Sequence, residues 1–241
     1  MRDAIVIIPT YNEIENIEAI IRAVFSQKKS FEILVVDDNS PDGTSQKVKV
    51  LQNEFANQLH LLNRPKKTGL GTAYIEAFKW CLNEEYTYIF EMDADFSHNP
   101  NDLIHLYNAC IIEGADMSIG SRYINNRVNV VNWDMKRLLM SYFASKYVKL
   151  ITRMRIDDTT AGFVCYHRRV LDTIDLDKIK FVGYAFQIEM KFNAYLKKFK
   201  IIEVPIIFTD RKKGKSKMSG GIISEAIFGV INMKFKSLFR S

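Results

Sequence analysis

The sequence predicts an α/β fold with a mainly parallel central sheet flanked by helices. Short apolar runs alternate with stretches of helical spacing, which is the pattern of strands and helices packed in layers. Polar, turn-forming clusters follow these runs at 9–13, 37–43, 93–98 and 121–122. Because ligands gather at the carboxyl ends of parallel strands, these clusters should share one edge of the sheet.

The individual elements are predicted from local patterns along the chain. Apolar runs predict strands at 4–8, 31–36, 59–62, 86–92, 115–120, 160–166 and 201–208, the last interrupted by Pro205. Apolar residues at helical spacing predict helices through 17–24, 73–81, 103–112, 136–153, 185–198 and 222–240. A further helix should begin near Asp42 or Thr44, since either side chain is a suitable cap.

Length and composition fit one large α/β domain or two small ones. The chain has 241 residues, of which 47% are hydrophobic and 26% charged, as in ordinary globular proteins. A net charge of +6 favours an anionic partner, which leaves open a nucleotide, a nucleic acid or a phosphate-bearing membrane surface. No run of 18 apolar residues occurs, so no membrane-spanning helix is predicted.

Two aspartates flank one small residue directly after the predicted strand at 86–92. Residues two apart in an extended chain point to the same side, so Asp93 and Asp95 are able to act on one point. A divalent cation, Mg²⁺ or Mn²⁺, would relieve their repulsion and leave coordination positions for substrate phosphates. The alternative is an acidic turn that caps the next helix, and an Asp-x-Asp pattern alone does not exclude it.

The phosphate-binding loops of the common nucleotide folds are not found. The sequence GLGT at 69–72 lacks the lysine and the spacing of a Walker loop, and PTY at 9–11 replaces the dinucleotide fingerprint. A nucleotide would therefore be held through the metal and through acidic and aromatic groups. Tyr11 is placed to stack on a base, and Asp38 or Glu13 to accept hydrogen bonds from base or ribose.

Several motifs occur together in the order of one known family. They are PTYNE at 9–13, VVDDNSPDGT at 35–44, GLGTA at 69–73, DADFSH at 93–98, GSRY at 120–123, WDMKR at 133–137, and DR at 210–211 followed by Lys217. The sequence closely resembles the polyprenol (dolichol) phosphate mannose synthases, inverting glycosyltransferases of family 2 with the Rossmann-like GT-A fold. The resemblance runs nearly end to end. It implies a single domain over 1–241, with a nucleotide-binding half at about 1–122 and an acceptor- and membrane-facing half at about 123–241.

The resemblance implies roles for the matching residues. Contacts with a GDP-sugar are implied for Pro9, Tyr11, Glu13, Val36, Asp38, Asp93, Ala94, Asp95, Arg122, Arg211 and Lys217. Catalysis is implied for Asp93, Asp95, Arg122, Arg211 and Lys217, with the two aspartates at the metal and the basic residues at the phosphates. Binding of the lipid phosphate is implied for Arg122, Arg137 and Ser141. Asp158 and residues 160–163 match the family's Asp-x-Thr-x-Gly-Phe segment.

The function that the resemblance implies is transfer of mannose from GDP-mannose to a polyprenyl monophosphate at the cytoplasmic face of a membrane. One alternative keeps the fold but uses a UDP-sugar or a soluble sugar acceptor. Another is a basic, non-catalytic module. No nucleic acid partner is expected, because the basic residues are not interleaved with aromatic ones as in single-strand binders. A membrane-anchoring subunit is left open.

A lipid phosphate is already anionic and needs no general base, so His98 is expected to act as a cap or to lie on the surface rather than as a base. The loop at 210–220, which is rich in charge and glycine, is expected to close over the diphosphate. Membrane contact is expected from the basic amphipathic helices at 136–153 and 222–240, and chiefly from the second.

Overall fold

The computed structural model describes residues 2–124, 127–183, 185–210 and 220–237. The strands are β1 (Arg2–Thr10), β2 (Glu32–Asp37), β3 (Leu59–Asn63), β4 (Tyr86–Glu91), β5 (Met117–Ser121), β6 (Tyr123–Ile124), β7 (Arg127–Val128), β8 (Val130–Val131), β9 (Val164–His167), β10 (Ile201–Pro205) and β11 (Phe208–Thr209). The helices are α1 (Ile17–Phe25), α2 (Thr44–Gln52), α3 (Leu70–Asn83), α4 (Leu103–Ile111), α5 (Met135–Thr152), α6 (Arg168–Thr173), α7 (Ala185–Leu196) and α8 (Gly220–Ser237). The predicted elements are therefore present, with bounds that differ by a few residues.

Seven strands form one twisted sheet in the order β10-β5-β9-β4-β1-β2-β3. Neighbouring strands are parallel, except that β9 runs antiparallel between β4 and β5. The mainly parallel sheet is thus confirmed. Because β9 and β10 come from the second half of the chain, both halves build the same sheet.

Apolar side chains cover both faces of the sheet, as the continuous apolar runs predict. Along β1, Ile5 and Ile7 pack into a core with α3 and α7. Val6 and Ile8 point to the opposite face and pack into a second core with α1 and α4. The two cores cover the sheet on both faces, and the polar clusters follow the ends of its buried strands.

The strand predicted at 160–166 is wrong in its first half, since β9 begins only at Val164. The carbonyl oxygen of Ala161 accepts a hydrogen bond from Lys191 Nζ at 2.6 Å instead of from the main chain of a neighbouring strand. The segment before β9 is therefore an irregular loop whose main chain is held by a buried lysine. This loop also places Asp158 beside Arg122, the residue that follows β5.

Helix α5 begins and ends at recognisable signals. Asp134 Oδ1 accepts a hydrogen bond from the main-chain N–H of Arg137 at 2.9 Å, which caps the first turn. Arg153 takes a left-handed conformation with φ of 60° and ends the helix. The predicted helix at 136–153 is confirmed within one residue at each end. In the described ranges, no helix is long and apolar enough to cross a membrane.

Candidate active site

The four polar clusters predicted after strands share one edge of the sheet. β5, β9, β4, β1 and β2 are consecutive neighbours, so the carboxyl ends of the four parallel strands lie side by side. Antiparallel β9 contributes its amino-terminal end to the same edge. The clusters at 9–13, 37–43, 93–98 and 121–122 therefore lie at one edge of the sheet, as the sequence predicts, and the space beside this edge is called the cleft below.

The loops after β1 and β2 are hydrogen-bonded to each other. The main-chain N–H of Asn12 donates to Ser40 Oγ, and that of Glu13 donates to Thr44 Oγ1, both at 3.0 Å. Asp37 is fully buried and accepts from the main-chain N–H of Ser40 at 2.9 Å. Asp37 thus has a structural role: it orders the loop that presents the next residue, Asp38, to the cleft.

Asp38 is paired with an arginine that follows β3. Arg64 Nη1 donates to Asp38 Oδ1 at 2.6 Å, while its Nε donates to Glu76 at 3.1 Å and its Nη2 to Thr72 at 2.7 Å. Burial raises the pKa of Asp38, and the charge of Arg64 opposes that rise. The residue predicted to accept hydrogen bonds from base or ribose is therefore held in a fixed orientation by Arg64.

The other residues in β1, in β2 and in the turns after β1 and β4 that are predicted to contact the nucleotide differ in how far their side chains are buried. The ring of Tyr11 is half-buried, and Lys67 Nζ lies 4.4 Å from its centroid in a cation–π contact. Pro9 and Glu13 are also half-buried at this edge. The side chains of Val36 and Ala94 are buried, which leaves only their main chains for the predicted contacts.

The carboxylate pair lies just beyond β4 on an ordered turn. The Asp93 side chain is 42% exposed, and Asp95 Oδ1 accepts from the main-chain N–H of Ser97 at 3.1 Å. The main-chain N–H of Asp93 donates to His98 Nδ1 at 3.1 Å, and the imidazole stacks on Phe163 with centroids 4.9 Å apart. Both carboxylates therefore lie at this edge of the sheet, on a turn that His98 closes.

His98 is buried, so the expectation of a surface role is wrong, whereas its bond to the turn agrees with a capping role. Burial lowers the pKa of His98 to about 4. Its Nδ1 accepts a main-chain hydrogen bond and carries no proton. The 4.0 Å approach to Asp93 is therefore not an ion pair at neutral pH. Since Nδ1 is already occupied, His98 does not serve as a general base.

The donor set of Asp93 and Asp95 fits a hard divalent cation. Both side chains offer carboxylate oxygens, which are the ligands that Mg²⁺ and Mn²⁺ prefer. Among the described residues, no third histidine, cysteine or carboxylate joins them in a metal-binding group. Two protein ligands leave most of an octahedral coordination sphere for water and phosphate oxygens, as in sites that hold a metal together with a polyphosphate.

Arg122 lies after β5 in a buried ion pair. Its Nε and Nη2 donate to the two oxygens of Asp158 at 2.7 Å each, and Nη2 also donates to Thr160 Oγ1 at 2.8 Å. Burial disfavours the Asp158 carboxylate, but the charge and hydrogen bonds of Arg122 outweigh burial and hold the pKa of Asp158 below its usual value. Arg122 is 8% exposed. Its guanidinium is therefore fixed at the cleft as a permanent positive charge.

The three residues predicted to bind a lipid phosphate surround two aromatic rings. Arg122 Cζ lies 5.2 Å from the Tyr123 centroid and 5.5 Å from that of Trp133, while Arg137 Cζ lies 4.4 Å from Trp133. Burial raises the pKa of Tyr123, and Arg122, the Ser141 hydroxyl and Arg137 oppose that rise. The structure therefore brings Arg122, Arg137 and Ser141 into one cluster, although they are 15 and 4 residues apart in the chain.

Asp210 joins this cluster through Arg137, whose Nη1 donates to its Oδ1 at 2.7 Å. The predicted phosphate ligands Arg211 and Lys217, and residues 211–219 of the loop predicted to close over the diphosphate, lie outside the described residues.

Comparison with known proteins identifies the family. Residues 5–175 match the model of the family described as "Glycosyl transferase family 2". The chain belongs to this family. The glycosyltransferase is 44% identical over 226 residues to a polyprenol monophosphomannose synthase from Mycolicibacterium smegmatis, covering 94% of this chain and 84% of the relative. It is 42% identical over 224 residues to an undecaprenyl-phosphate mannosyltransferase from Micrococcus luteus, covering 93% and 90%.

Solved structures share the fold of this glycosyltransferase at low sequence identity. Glucosyl-3-phosphoglycerate synthase from Mycobacterium tuberculosis, solved with Mn²⁺, UDP-Glc and phosphoglyceric acid, matches with a TM-score of 0.67 at 15% identity, covering 98% of this chain and 79% of that one. A mannosyltransferase from Pyrobaculum calidifontis, solved with GDP-Man and Mn²⁺, matches with a TM-score of 0.62 at 17% identity, covering 100% and 64%. The glycosyltransferase has the GT-A fold of these neighbours.

A buried polar network lies directly beneath the site of the glycosyltransferase. Glu91, at the end of β4, accepts from Gln187 Nε2 at 2.7 Å. The fully buried Lys191 donates to the carbonyl oxygen of Ala161 at 2.6 Å and to that of Gln187 at 3.2 Å. Burial raises the pKa of Glu91 and lowers the pKa of Lys191. Sequence reasoning missed this network because apolar periodicity on α7 assigns Gln187 and Lys191 no partner.

Proposed function

We propose that this glycosyltransferase transfers mannose, with inversion, from GDP-mannose to the phosphate of a polyprenyl monophosphate, giving polyprenyl phosphate mannose. The observation that carries the proposal is the 42–44% identity, over more than nine tenths of the chain, to relatives named for polyprenol and undecaprenyl phosphate. The Pyrobaculum neighbour with bound GDP-Man has the same fold, which is consistent with the proposed donor.

The chemistry requires a nucleophile, a leaving group and a means of stabilising charge. An oxygen of the acceptor phosphate forms a bond to C1 of mannose while the bond from C1 to the diphosphate oxygen breaks, and GDP leaves. The acceptor is anionic at neutral pH, so no proton needs to be removed. His98 is neutral, and its Nδ1 already accepts a main-chain hydrogen bond, which agrees with a reaction that proceeds without a general base.

The donor would bind along the carboxyl ends of β1, β2 and β4. Tyr11 and Pro9 would contact the base, and Asp38 and Glu13 would accept its hydrogen bonds or those of the ribose. Asp93 and Asp95 would hold Mg²⁺ or Mn²⁺, which when bound neutralises charge on the departing diphosphate. Arg211 and Lys217 are proposed to contact the diphosphate from outside the described residues.

The acceptor would bind beside β5 and the start of α5. Arg122 is fixed by Asp158 with its charge at the cleft, and Arg137 and Ser141 stand on consecutive turns of α5. A phosphate monoester carries nearly two negative charges near neutral pH, so two guanidinium groups and a hydroxyl match its charge and its acceptor oxygens. The acceptor phosphate would therefore approach from the side opposite to Tyr11 and Asp38.

A lipid acceptor requires a surface that meets the membrane, and we propose that α5 and α8 provide it. These helices contact each other and expose apolar side chains between basic residues. Among the side chains that the structure describes on the two helices, the exposed apolar ones are Met135, Leu139, Met140, Phe143, Leu150, Phe228, Ile231 and Phe235. Such a surface suits an anionic interface, and the proposed location is the cytoplasmic face of a membrane.

Incubation with labelled donors, followed by lipid extraction, tests the proposed reaction. Purified protein would receive GDP-[³H]mannose or UDP-[³H]glucose together with a polyprenyl phosphate and Mg²⁺ or Mn²⁺. We expect label in the lipid fraction from GDP-mannose and only background from UDP-glucose. Label in the lipid from UDP-glucose alone would assign a different donor, and label confined to water-soluble products would remove the lipid acceptor.

The membrane surface is tested by a double substitution on α8. Phe228 and Ile231 are 74% and 47% exposed, so Phe228→Ser with Ile231→Ser should leave the fold intact. Each lost apolar side chain removes roughly 1.5 kcal/mol or more of burial in the interface, so the double substitution should weaken binding to anionic vesicles by about a hundredfold or more. Co-sedimentation with phosphatidylglycerol vesicles measures this binding.

Ile112→Ser is the matched control, since Ile112 is 74% exposed but lies beyond the end of α4, away from α5 and α8. It should bind vesicles like the wild type. Transfer to a long polyprenyl phosphate should fall in the double variant, while transfer to a short, water-soluble analogue should not. Equal loss on both acceptors would assign this part of α8 to the fold instead.

A further inference from the structure

One hydrogen-bond donor beside the acceptor cluster is buried and unused. Trp133 Nε1 has no hydrogen-bond partner within the part of the chain that the structure describes. Buried polar groups in folded proteins nearly always have a partner, and a functional role or a bound ion is among the ordinary reasons for an exception. The neighbouring Tyr123 is 3% exposed, and its hydroxyl interacts with the Ser141 hydroxyl. Trp133 and Tyr123 both border Arg122.

The indole of Trp133 contacts both arginines of the cluster. Arg122 Cζ and Arg137 Cζ are 5.5 and 4.4 Å from its centroid, and Phe208 packs against it edge-on with centroids 5.2 Å apart. Asp134, the next residue, caps α5 and fixes the chain at this point. The indole of Trp133, which carries the N–H, is therefore held in one place, next to two positive charges.

The chemistry of this cluster favours an anion with several acceptor oxygens. Arg122 uses Nε and Nη2 for Asp158 and Thr160, and among the described residues nothing accepts from its Nη1. Arg137 holds Asp210 through Nη1. A tetrahedral phosphate has enough oxygens to accept hydrogen bonds from both guanidinium groups and from a neutral N–H beside them. A carboxylate has only two oxygens and fits three such donors less well.

We propose that the indole N–H of Trp133 donates a hydrogen bond to the acceptor phosphate, beside Arg122 and Arg137. The inference rests on the proposed function and adds a residue to its acceptor site. The bond fixes which oxygens of the phosphate remain directed at the sugar. Tyr123 and its hydroxyl form the neighbouring wall of the same site.

Trp133→Phe tests the bond, because phenylalanine keeps an aromatic ring beside the arginines and lacks the N–H. A hydrogen bond to a charged group is lost, so KM for the acceptor should rise about tenfold or more. KM for GDP-mannose should stay within about twofold. Trp80→Phe is the matched control: Trp80 lies on α3 beside Tyr86, and its replacement should change neither constant. An unchanged acceptor KM in an active Trp133→Phe enzyme overturns the proposal, as does a rise confined to GDP-mannose.

Indole fluorescence provides a test that does not depend on turnover. The sequence has two tryptophans, so in the Trp80→Phe protein Trp133 is the sole indole. Farnesyl phosphate should change its emission, and farnesol, which lacks the phosphate, should not. No response to farnesyl phosphate, or an equal response to farnesol, overturns the proposal. If Trp80→Phe fails to fold, the difference between wild-type and Trp133→Phe spectra gives the same signal.

The two ideas fail in distinguishable ways. A protein that forms no mannosyl lipid but whose Trp133 emission responds to farnesyl phosphate would lose the proposed function and keep this phosphate site. A protein that forms mannosyl lipid, and whose Trp133→Phe variant has the wild-type acceptor KM, would keep the function and lose the inference.

Discussion

Asp95→Asn is expected to lower mannosyl transfer by about a thousandfold or more, and Asp93→Asn should have a similar effect. Asparagine keeps the size of the side chain but removes the charge that favours a divalent cation. A metal at the leaving group contributes several kcal/mol, and each 1.36 kcal/mol is a factor of about ten in rate. Turnover of GDP-[³H]mannose with a short polyprenyl phosphate measures the loss. Chelation with EDTA should abolish transfer in the wild type, and added Mg²⁺ or Mn²⁺ should restore it.

Asp102→Asn is the control for this experiment. Asp102 is a partly buried carboxylate a few residues further along the chain, and it lies outside the cleft. Its replacement should leave transfer unchanged. Binding of Mn²⁺, followed by electron paramagnetic resonance in the presence of GDP, adds a readout other than activity and should weaken only in the Asp93 and Asp95 variants. Transfer that survives both EDTA and Asp95→Asn would remove the metal from the site.

The edge of the sheet that carries the site could be predicted because the relevant signals are local. Each buried strand ends in a turn-forming polar cluster, and parallel strands place such clusters together. Asp93 and Asp95 follow β4 in this way, and Asp38 follows β2. Arg64 obeys the same rule, since it is the first residue after β3. The same rule could have identified it, although its pairing with Asp38, 26 residues earlier, has no local signal.

The acceptor side was harder to predict because its order arises from contacts that are distant in the chain. Periodicity does not reveal the direction of a strand, so the antiparallel insertion of β9 between β4 and β5 could not be derived. That insertion brings Asp158 to Arg122 across 36 residues and places Phe163 against His98. The sequence predicts a capping or surface position for His98, and its stacking on Phe163 explains why this cap is buried.

The stability of the acceptor side should depend strongly on the Asp158 carboxylate. Asp158→Asn is expected to lower the free energy of unfolding by about 3–5 kcal/mol, because it leaves the charge of Arg122 buried without its partner. Arg122 is 8% exposed and Asp158 fully buried, so water does not replace the lost interaction. Urea unfolding followed by circular dichroism measures the difference. Displacement of the Arg122 guanidinium should also weaken binding of the acceptor, which would appear as a higher KM for the polyprenyl phosphate.

Asp157→Asn is the control, because the neighbouring Asp157 pairs with Lys149 at the surface. Exposed pairs contribute roughly 0–1 kcal/mol, so this variant should unfold almost like the wild type.

The pH dependence of the stability difference separates the effect of charge from the effect of packing. Since the pKa of Asp158 is lowered in the folded state, its contribution is fully present above the unfolded value near 3.9 and is lost as pH falls through the folded value. The difference in the free energy of unfolding between wild type and Asp158→Asn should therefore be constant above about pH 5 and become smaller below about pH 4. A difference of the same size at pH 3 would assign the loss to packing, and no difference at pH 7 would show that Arg122 does not need its partner.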